Sequence, residues 1–330
     1  MGKVDYFFDE TKIKLLNHDI KEVKLQEYDH SYIPDSVWVT GAPIMWNQSY
    51  QGDGCKIGII DTGIDNTHPD LKNNVLFRRD YVKDNNQPQN FNPHGTHVAG
   101  TVAANGLIKG IAPLAKLIDY RVLGNDGSGS YFNITKAVND SVNDGCNIIN
   151  MSLGGPFDYV PLHNAIKNAV NRNVLVVVAA GNEGPNKISY PAFYPEVLCV
   201  GAVNFNKDTG VIDLPFKPWF SNSNREVDIA ADGWQILSTV PNNSYGYSTG
   251  TSMSSPNVTG ISALLWNRYN KKIKKPTYDQ LFGLAKSTTV DILEKNNDYV
   301  SGAGFATLYP ELPKKVDGNW DLPNMQTGKP

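Results

Sequence analysis

From about residue 55 the chain alternates short apolar runs with stretches in which apolar residues recur at helical spacing. CKIGIID (55–61), LIDYRVL (117–123), CNIINMS (146–152), VLVVVAA (174–180) and VLCVGAV (197–203) are compact and nearly continuous in their apolar character. Runs of that kind suit strands covered on both faces. Between them, Leu162, Ala165, Ile166, Ala169 and Val170 follow the i, i+3, i+4, i+7, i+8 spacing of a helix with one buried stripe. The alternation predicts an α/β architecture, a mostly parallel β-sheet with helices on both faces. Ligands on such sheets bind at the carboxyl ends of the strands, where Asp61 and Ser152 fall.

Both ends of the chain read differently. Residues 1–38 are rich in charge and lack a clear apolar period, the pattern of an extension preceding a domain that spans 39–309. Residues 310–330 hold four prolines and little periodicity, as a partly ordered tail would. Apolar residues make up 40% and charged residues 19%, the balance of a soluble globular chain. A formal net charge of −3 lacks the basic signature of a partner to nucleic acid or an anionic membrane. No window approaches the roughly 18 apolar residues of a membrane span. Cys55, Cys146 and Cys199 are odd in number and show no CxxC spacing, so buried free thiols in a reducing compartment are expected. The N-terminus MGKVDYFFDETKIKLL is interrupted by charges where a secretory leader needs an apolar stretch. A cytoplasmic protein is the expectation.

Four strings carry candidate chemistry: IIDTGID around Asp61, HGTHVAGTVAA from His94, AAGNEG around Asn182, and GTSMSSPNVTG around Ser252. A serine hydroxyl is a weak nucleophile unless a base takes its proton. Small residues crowd Ser252 and the apolar stretch ISALLW follows it, which puts Ser252 in the first turn of a helix. The positive end of that helix favours developing negative charge; the plainer reading of Ser252 is an N-cap. His94 opens a helix of small residues (Ala99, Gly100, Ala103, Ala104) and can serve as the base, whereas His97 reads as a core histidine. No glutamate completes an HExxH pair, which disfavours a zinc peptidase. Asp61 ends an apolar strand, where a carboxylate can fix an imidazole tautomer or simply form a turn. Asn182, in a Gly-Asn-Glu-Gly turn, can donate to an oxyanion or do no more than turn the chain. The order Asp61, His94, Ser252 disfavours an α/β-hydrolase esterase, which runs serine, acid, histidine. A catalytically silent scaffold for extended peptides is the alternative of a different class, and the intact set argues against it.

With NMSLGG (150–155) and GSGSY (127–131), these motifs make the chain resemble the subtilisin-type serine peptidases across about residues 37–309. The resemblance implies a three-layer subtilisin-like fold and an endopeptidase working through an acyl-enzyme on Ser252. It makes Asp61, His94 and Ser252 the triad and sets Asn182 beside the Ser252 N–H in the oxyanion hole, an arrangement that subtilisin itself defines. Gly127, Ser128 and Gly129, with Ser152, Leu153 and Gly154, match the two strands that flank a bound peptide. Ala180, Gly181, Glu183 and Ser189 would line the first specificity pocket, and Tyr131 would border a farther subsite. Broad cleavage after large apolar residues follows, with Glu183 tolerating a basic one.

Within the family the chain is most similar to the intracellular subtilisins, through its short extension before IPDSVWVTGAPIMW (33–46) and its GAGFATLYPEL (302–312). In that group the extension covers the active site until it is clipped, so residues 1 to about 32 would inhibit, although the group's blocking tetrapeptide is absent here. The implied partners are protein or peptide substrates and a second copy of the chain in a homodimer. No organic cofactor is implied. Calcium is the implied ion, with Asp70 of HPDL as a matching ligand. The loop NGLIKG (105–110) is shorter than the family's calcium loop, and Ser31 stands where a side-chain amide ligand is usual. Few of the about six to eight oxygens that calcium needs are therefore in place.

Overall fold

The computed structural model describes residues 12–15, 19–23, 25, 32–82, 84, 86–206, 211–212, 219–293, 298–316 and 319–321. Two short strands, β1 (Lys12–Leu15) and β2 (Ile20–Val23), precede the helices α1 (Asp35–Val39) and α2 (Ala42–Asn47). The alternation then runs β3 (Lys56–Asp61), β4 (Val75–Asp80), α3 (His94–Ala103), β5 (Lys116–Arg121), β6 (Ser128–Ser130) and α4 (Tyr131–Asn143). It continues with β7 (Ile148–Met151), β8 (Leu153–Gly154), α5 (Val160–Asn171), β9 (Leu175–Ala179) and β10 (Leu198–Val203). A hairpin, β11 (Phe205–Asn206) and β12 (Val211–Ile212), is followed by β13 (Ile229–Asp232), β14 (Ile236–Val240) and β15 (Ser244–Ser248). Last come α6 (Thr251–Lys272), α7 (Tyr278–Ser287), β16 (Thr289–Val290), β17 (Phe305–Ala306) and the hairpin β18 (Lys314–Val316)/β19 (Asn319–Asp321).

Nine strands form one sheet in the order β16-β17-β13-β10-β9-β7-β3-β5-β4, parallel except for β16 at its edge. The chain steps outward from β3 to β4 and β5, then crosses back over β3 to β7, so the direction of winding reverses beside β3. Alternate residues of each strand enter opposite cores. Ile57 and Ile59 join Val98, Val102, Ile261 and Leu264 on one face, while Ile60 joins Ile134, Leu162 and Ile166 on the other. Leu175 and Val177 divide from Val176 and Val178 in the same way. Each such side chain contributes about 1.5–3 kcal/mol on full burial, which is why these strands tolerate no polar face. The three-layer α/β architecture expected from the apolar runs is the one observed.

Each of the five apolar runs holds a strand, shorter than the run by one to three residues. Of the strands without such a run, β13 lies inside the sheet between β10 and β17 and is buried throughout, whereas β4 and β16 lie at its edges. Leu76 and Phe77 of β4 are exposed, and β14–β15 is a hairpin off the main sheet. The three cysteines are free and buried, and burial pushes the Cys146 thiol up to about 12.

The ends are more engaged than their composition suggests. Ile13 of β1 is wholly buried, and Val37 of α1 lies in the main core, so the packed body begins before residue 39. Residues 1–11 and 322–330 lie outside the described residues.

Helix α3 meets the turn after β3 at backbone distance. A Cβ on Gly95 would fall 2.5 Å from the carbonyl oxygen of Gly63, an atom of main chain that cannot swing aside. Gly95→Ala should therefore lower stability by about 1–3 kcal/mol, read as a reduced urea midpoint at unchanged m-value.

Candidate active site

Asp61 is the last residue of β3 and His94 the first of α3. Their side chains meet in full burial, His94 Nδ1 donating to Asp61 Oδ1 at 2.7 Å. The same oxygen accepts from Thr62 N at 2.7 Å. Thr62 is the joint between the two elements: its Oγ1 donates to Asn92 O and accepts from Gly95 N, both at 2.9 Å. From the end of β5, Arg121 gives Nε to Thr62 O at 3.1 Å and pairs its buried charge with Asp80 and Asp84. That guanidinium holds the Asp84 carboxyl well below the usual carboxylate range. With Nδ1–H committed to Asp61, a neutral His94 has Nε2 as its proton-accepting atom.

Gly250 holds the cap position of α6 and Ser252 is the helix's second residue, so Ser252 is not the N-cap. Pro256, inside the helix, has no N–H to give to the carbonyl four residues earlier, which belongs to Ser252. Ser152 Oγ supplies a donor to that carbonyl at 2.9 Å, and Ser252 Oγ donates to Ser152 O at 3.3 Å. Asn150 orients Ser152 from behind through Nδ2 at 3.1 Å. Its Oδ1 in turn accepts from Ser255 Oγ (2.8 Å) and Thr259 Oγ1 (2.9 Å) of the helix. All five side chains are buried.

Asn182 follows β9 and is oriented by the residue next to Ser252. Its Oδ1 accepts from Thr251 N at 3.0 Å and from Thr251 Oγ1 at 2.8 Å, which leaves Nδ2 as the donor end of the amide. Gly181 has φ of +114°, and a Cβ there would lie 2.1 Å from Asn222 Nδ2, so the position accepts only glycine. Asn222 draws the neighbouring residues together: Nδ2 donates to Ala180 O (3.0 Å) and Glu183 Oε2 (2.6 Å), and Oδ1 accepts from Glu183 N (2.8 Å). Ala180 and Ser189 are buried and Glu183 is exposed. The motif reading gives Asn150, Arg121 and Asn222 no role: Asn150 opens NMSLGG but is not singled out there, and the other two read as polar residues in or near a strand.

β6 and β8, which carry Ser128, Gly129, Leu153 and Gly154, are bridged by β1 in a three-stranded sheet. β1 is antiparallel to both, with Ile13 opposite Gly129, Lys14 opposite Ser128 and Gly154, and Leu15 opposite Leu153. Leu15 N also donates to Gly127 O at 2.8 Å. Ile13 is buried in the apolar cluster that contains Tyr131, Ile134 and Leu153, while Lys12 and Lys14 are exposed.

Asp70 belongs to a separate assembly. Its Oδ1 accepts from Leu107 N (2.8 Å), and its Oδ2 from Ile108 N (2.9 Å) and Tyr245 OH (3.1 Å). The short loop 105–110 thus aims two amide hydrogens at the carboxylate, from directions a cation would need. Those donors do not fit a calcium ligand. Ser31, the other position considered for calcium, lies outside the described residues, and among those described no three His, Cys, Asp or Glu residues cluster to hold a metal. His68 Nδ1 accepts from Asp70 N at 3.1 Å, so its Nε2–H donates to Ser244 O at 3.1 Å. Burial lowers the imidazole's pKa.

A buried aspartate–histidine pair and a serine in the first turn of a helix, near the carboxyl ends of a parallel sheet, are the parts that a hydrolytic site of the serine class uses. Comparison with known proteins agrees. The profile of the subtilase family matches residues 52–304. The chain is 44% identical to the major intracellular serine protease of Bacillus subtilis (strain 168), over 88% of this chain and 93% of the relative. It is 37% identical to an intracellular serine protease of Paenibacillus polymyxa, over 93% and 95%. Against subtilisin E of Bacillus subtilis (strain 168) the identity is 37%, over 79% of this chain and 69% of the relative. The chain belongs to the subtilase family and is a serine protease, a hydrolase of peptide bonds.

Asp70→Asn sets an amide N–H against a backbone N–H and should cost about 1–3 kcal/mol of stability. The loss should be equal in EDTA and in excess calcium; a loss that grows with calcium would mark a metal ligand. His68 holds its proton less tightly in the fold than in the unfolded chain, so its contribution to stability shrinks as pH falls below about 6.5. His68→Gln should flatten that part of a profile of urea midpoints against pH.

Proposed function

We propose that the protein is an endopeptidase whose acyl-enzyme forms on Ser252, with His94 as the base and Asp61 as the residue that orients it. The observation that carries this reading is the buried 2.7 Å hydrogen bond from His94 Nδ1 to Asp61 Oδ1. It fixes the tautomer whose Nε2 can take the Ser252 proton, and it stabilises the imidazolium that results. His94 then returns the proton to the leaving amine as the scissile C–N bond breaks. Water, deprotonated by the same imidazole, attacks the acyl carbon and releases Ser252. Asn182 Nδ2 and Ser252 N, at the positive end of a 22-residue helix, receive the oxyanion in both steps.

The substrate binds as an extended strand between β6 and β8, in the way β1 does. The side chain beside the cleaved bond enters the pocket of Ala180, Gly181, Glu183 and Ser189. Small residues there leave room, which supports broad specificity with a preference for large apolar side chains, and exposed Glu183 admits a basic one. Because β1 pairs with the strands a substrate needs, residues 1 to about 32 act as an inhibitor of the full chain. The buried free thiols, and two relatives named as intracellular serine proteases, support a cytoplasmic enzyme.

Hydrolysis of a chromogenic tetrapeptide ending in phenylalanine tests these assignments. Ser252→Ala should lose about 10⁶ in kcat, the loss measured for subtilisin and borrowed from it here. Activity that survives this change would refute the assignment. Asn182→Ala should lose about 10²–10³ in kcat with little change in KM. Ile13→Asp places a charge in a buried apolar seat and should raise kcat/KM of the full chain; an unchanged value would sink the inhibitor reading.

A further inference from the structure

The β14–β15 hairpin has a second partner that the peptidase reading does not use. β14 covers one edge of β15, and β2 covers the other, antiparallel, with Ile20 opposite Ser248, Lys21 opposite Tyr247, Glu22 opposite Gly246 and Val23 opposite Tyr245. Val23 and Leu25 pack against a cluster of Ala104, Ile108, Leu237 and Tyr245. The outer edge of β15 is therefore a formed seat for an extended chain, with main-chain pairing along one strand and an apolar patch at its far end.

The position of this seat gives it a meaning. β1 and β2 are consecutive parts of one polypeptide, and Ser252 stands between the places where they dock. Leu15 pairs with Leu153, whose preceding residue Ser152 bonds to Ser252. β2 meets β15 at Ser248, four residues before Ser252 in the chain. A chain running from amino to carboxyl end lies first along β6 and β8, as Lys12–Leu15 do, and then along β15, as Ile20–Val23 do.

We infer that the outer edge of β15 is a docking strand for the leaving-group side of extended polypeptide substrates, an inference that rests on the peptidase reading. Its ligand is the stretch five to eight residues beyond the residue that pairs with Leu153, the offset of Ile20–Val23 from Leu15. Apolar side chains at the offsets of Val23 and Leu25 fill the patch. Gly246 suits this role, since a Cβ there would meet the docked strand 2.9 Å from Ile20 Cγ2 and 3.2 Å from the Lys21 carbonyl oxygen. An enzyme with such a strand favours long unfolded chains over short peptides, because a short product side never reaches it.

The test uses the full chain carrying Ile13→Asp and Val23→Asp, which loosens both docked segments and alters neither groove. Two peptides share one acyl side; one ends two residues past the cleaved bond, and the other continues far enough to place valine and leucine at the offsets of Val23 and Leu25. The long peptide should show kcat/KM about tenfold higher, expressed mainly in KM. Aspartate in place of that valine and leucine should erase the gain. A labelled peptide of sequence 19–25 should bind the variant by fluorescence anisotropy and protect the amides of Ser244–Ser248 from hydrogen exchange. Equal kcat/KM for both peptides with no binding of the labelled one overturns the inference while leaving the peptidase reading intact. Binding and amide protection without hydrolysis of either peptide keeps the docking strand and overturns the peptidase reading instead.

Discussion

Pro256 denies the carbonyl of Ser252 its helical donor, and the geometry around that serine follows from how the carbonyl is satisfied. A buried acceptor left unpaired costs about 1–3 kcal/mol, so a donor has to be brought in from elsewhere in the fold. Ser152 Oγ is that donor, and it comes from the link between β7 and β8. Asn150 then locks Ser152 to Ser255 and Thr259 one and two turns along the helix. The edge of the peptide groove and the helix that carries Ser252 thus behave as a single part. A shift of one is a shift of the other, and the depth at which a peptide lies against β8 sets its distance from the hydroxyl.

The other half of the site depends on where strands end. β3, β7 and β9 are adjacent, and each delivers a functional side chain at or just past its carboxyl end: Asp61, Ser152 and Asn182. The reversal of winding beside β3 opens the crevice into which α3 and α6 point their first turns. At Asp61 the chain must turn sharply, and Thr62 and Arg121 fix the turn by hydrogen bonds to main chain. Arg121 can stay buried because two carboxylates meet its charge, and removing them would leave an ion without compensation beside the Asp61–His94 pair.

Apolar runs announced the five central strands, because a strand covered on both faces admits a polar residue only where the fold supplies it with partners, as it does for Asp61, Arg121 and Asn150. The motif strings likewise singled out Asp61, His94, Asn182 and Ser252 as candidates, since each such role needs small or turn-forming neighbours that show in one dimension. What stayed illegible are residues whose roles are defined by partners far along the chain. Asn150, Arg121 and Asn222 are ordinary polar residues until Thr259, Thr62 and Glu183 stand beside them. β1 was missed for a different reason: Lys12-Ile13-Lys14-Leu15 does alternate, but four residues inside a charged segment carry too little pattern to read. The shortness of the 105–110 loop was visible; that its amides point at Asp70 was not, because direction belongs to the folded backbone.

β1 exposes Lys12 and Lys14 and buries Ile13, so it gains one deep apolar contact and a few ladder hydrogen bonds. That is modest, and on the proposed inhibitor reading modest is enough for a segment tethered to the site it covers. A short tether gives an effective concentration in the millimolar range, so on that reading even a weakly bound strand would compete with dilute substrate. A second docked segment on β15 multiplies the advantage, because release then requires both pairings to open before either can close again. On the inhibitor reading, the same tethering would make the block easy to remove. Once the chain is cut between the two strands, each fragment holds by its own few contacts, and the local concentration that made β1 competitive is gone.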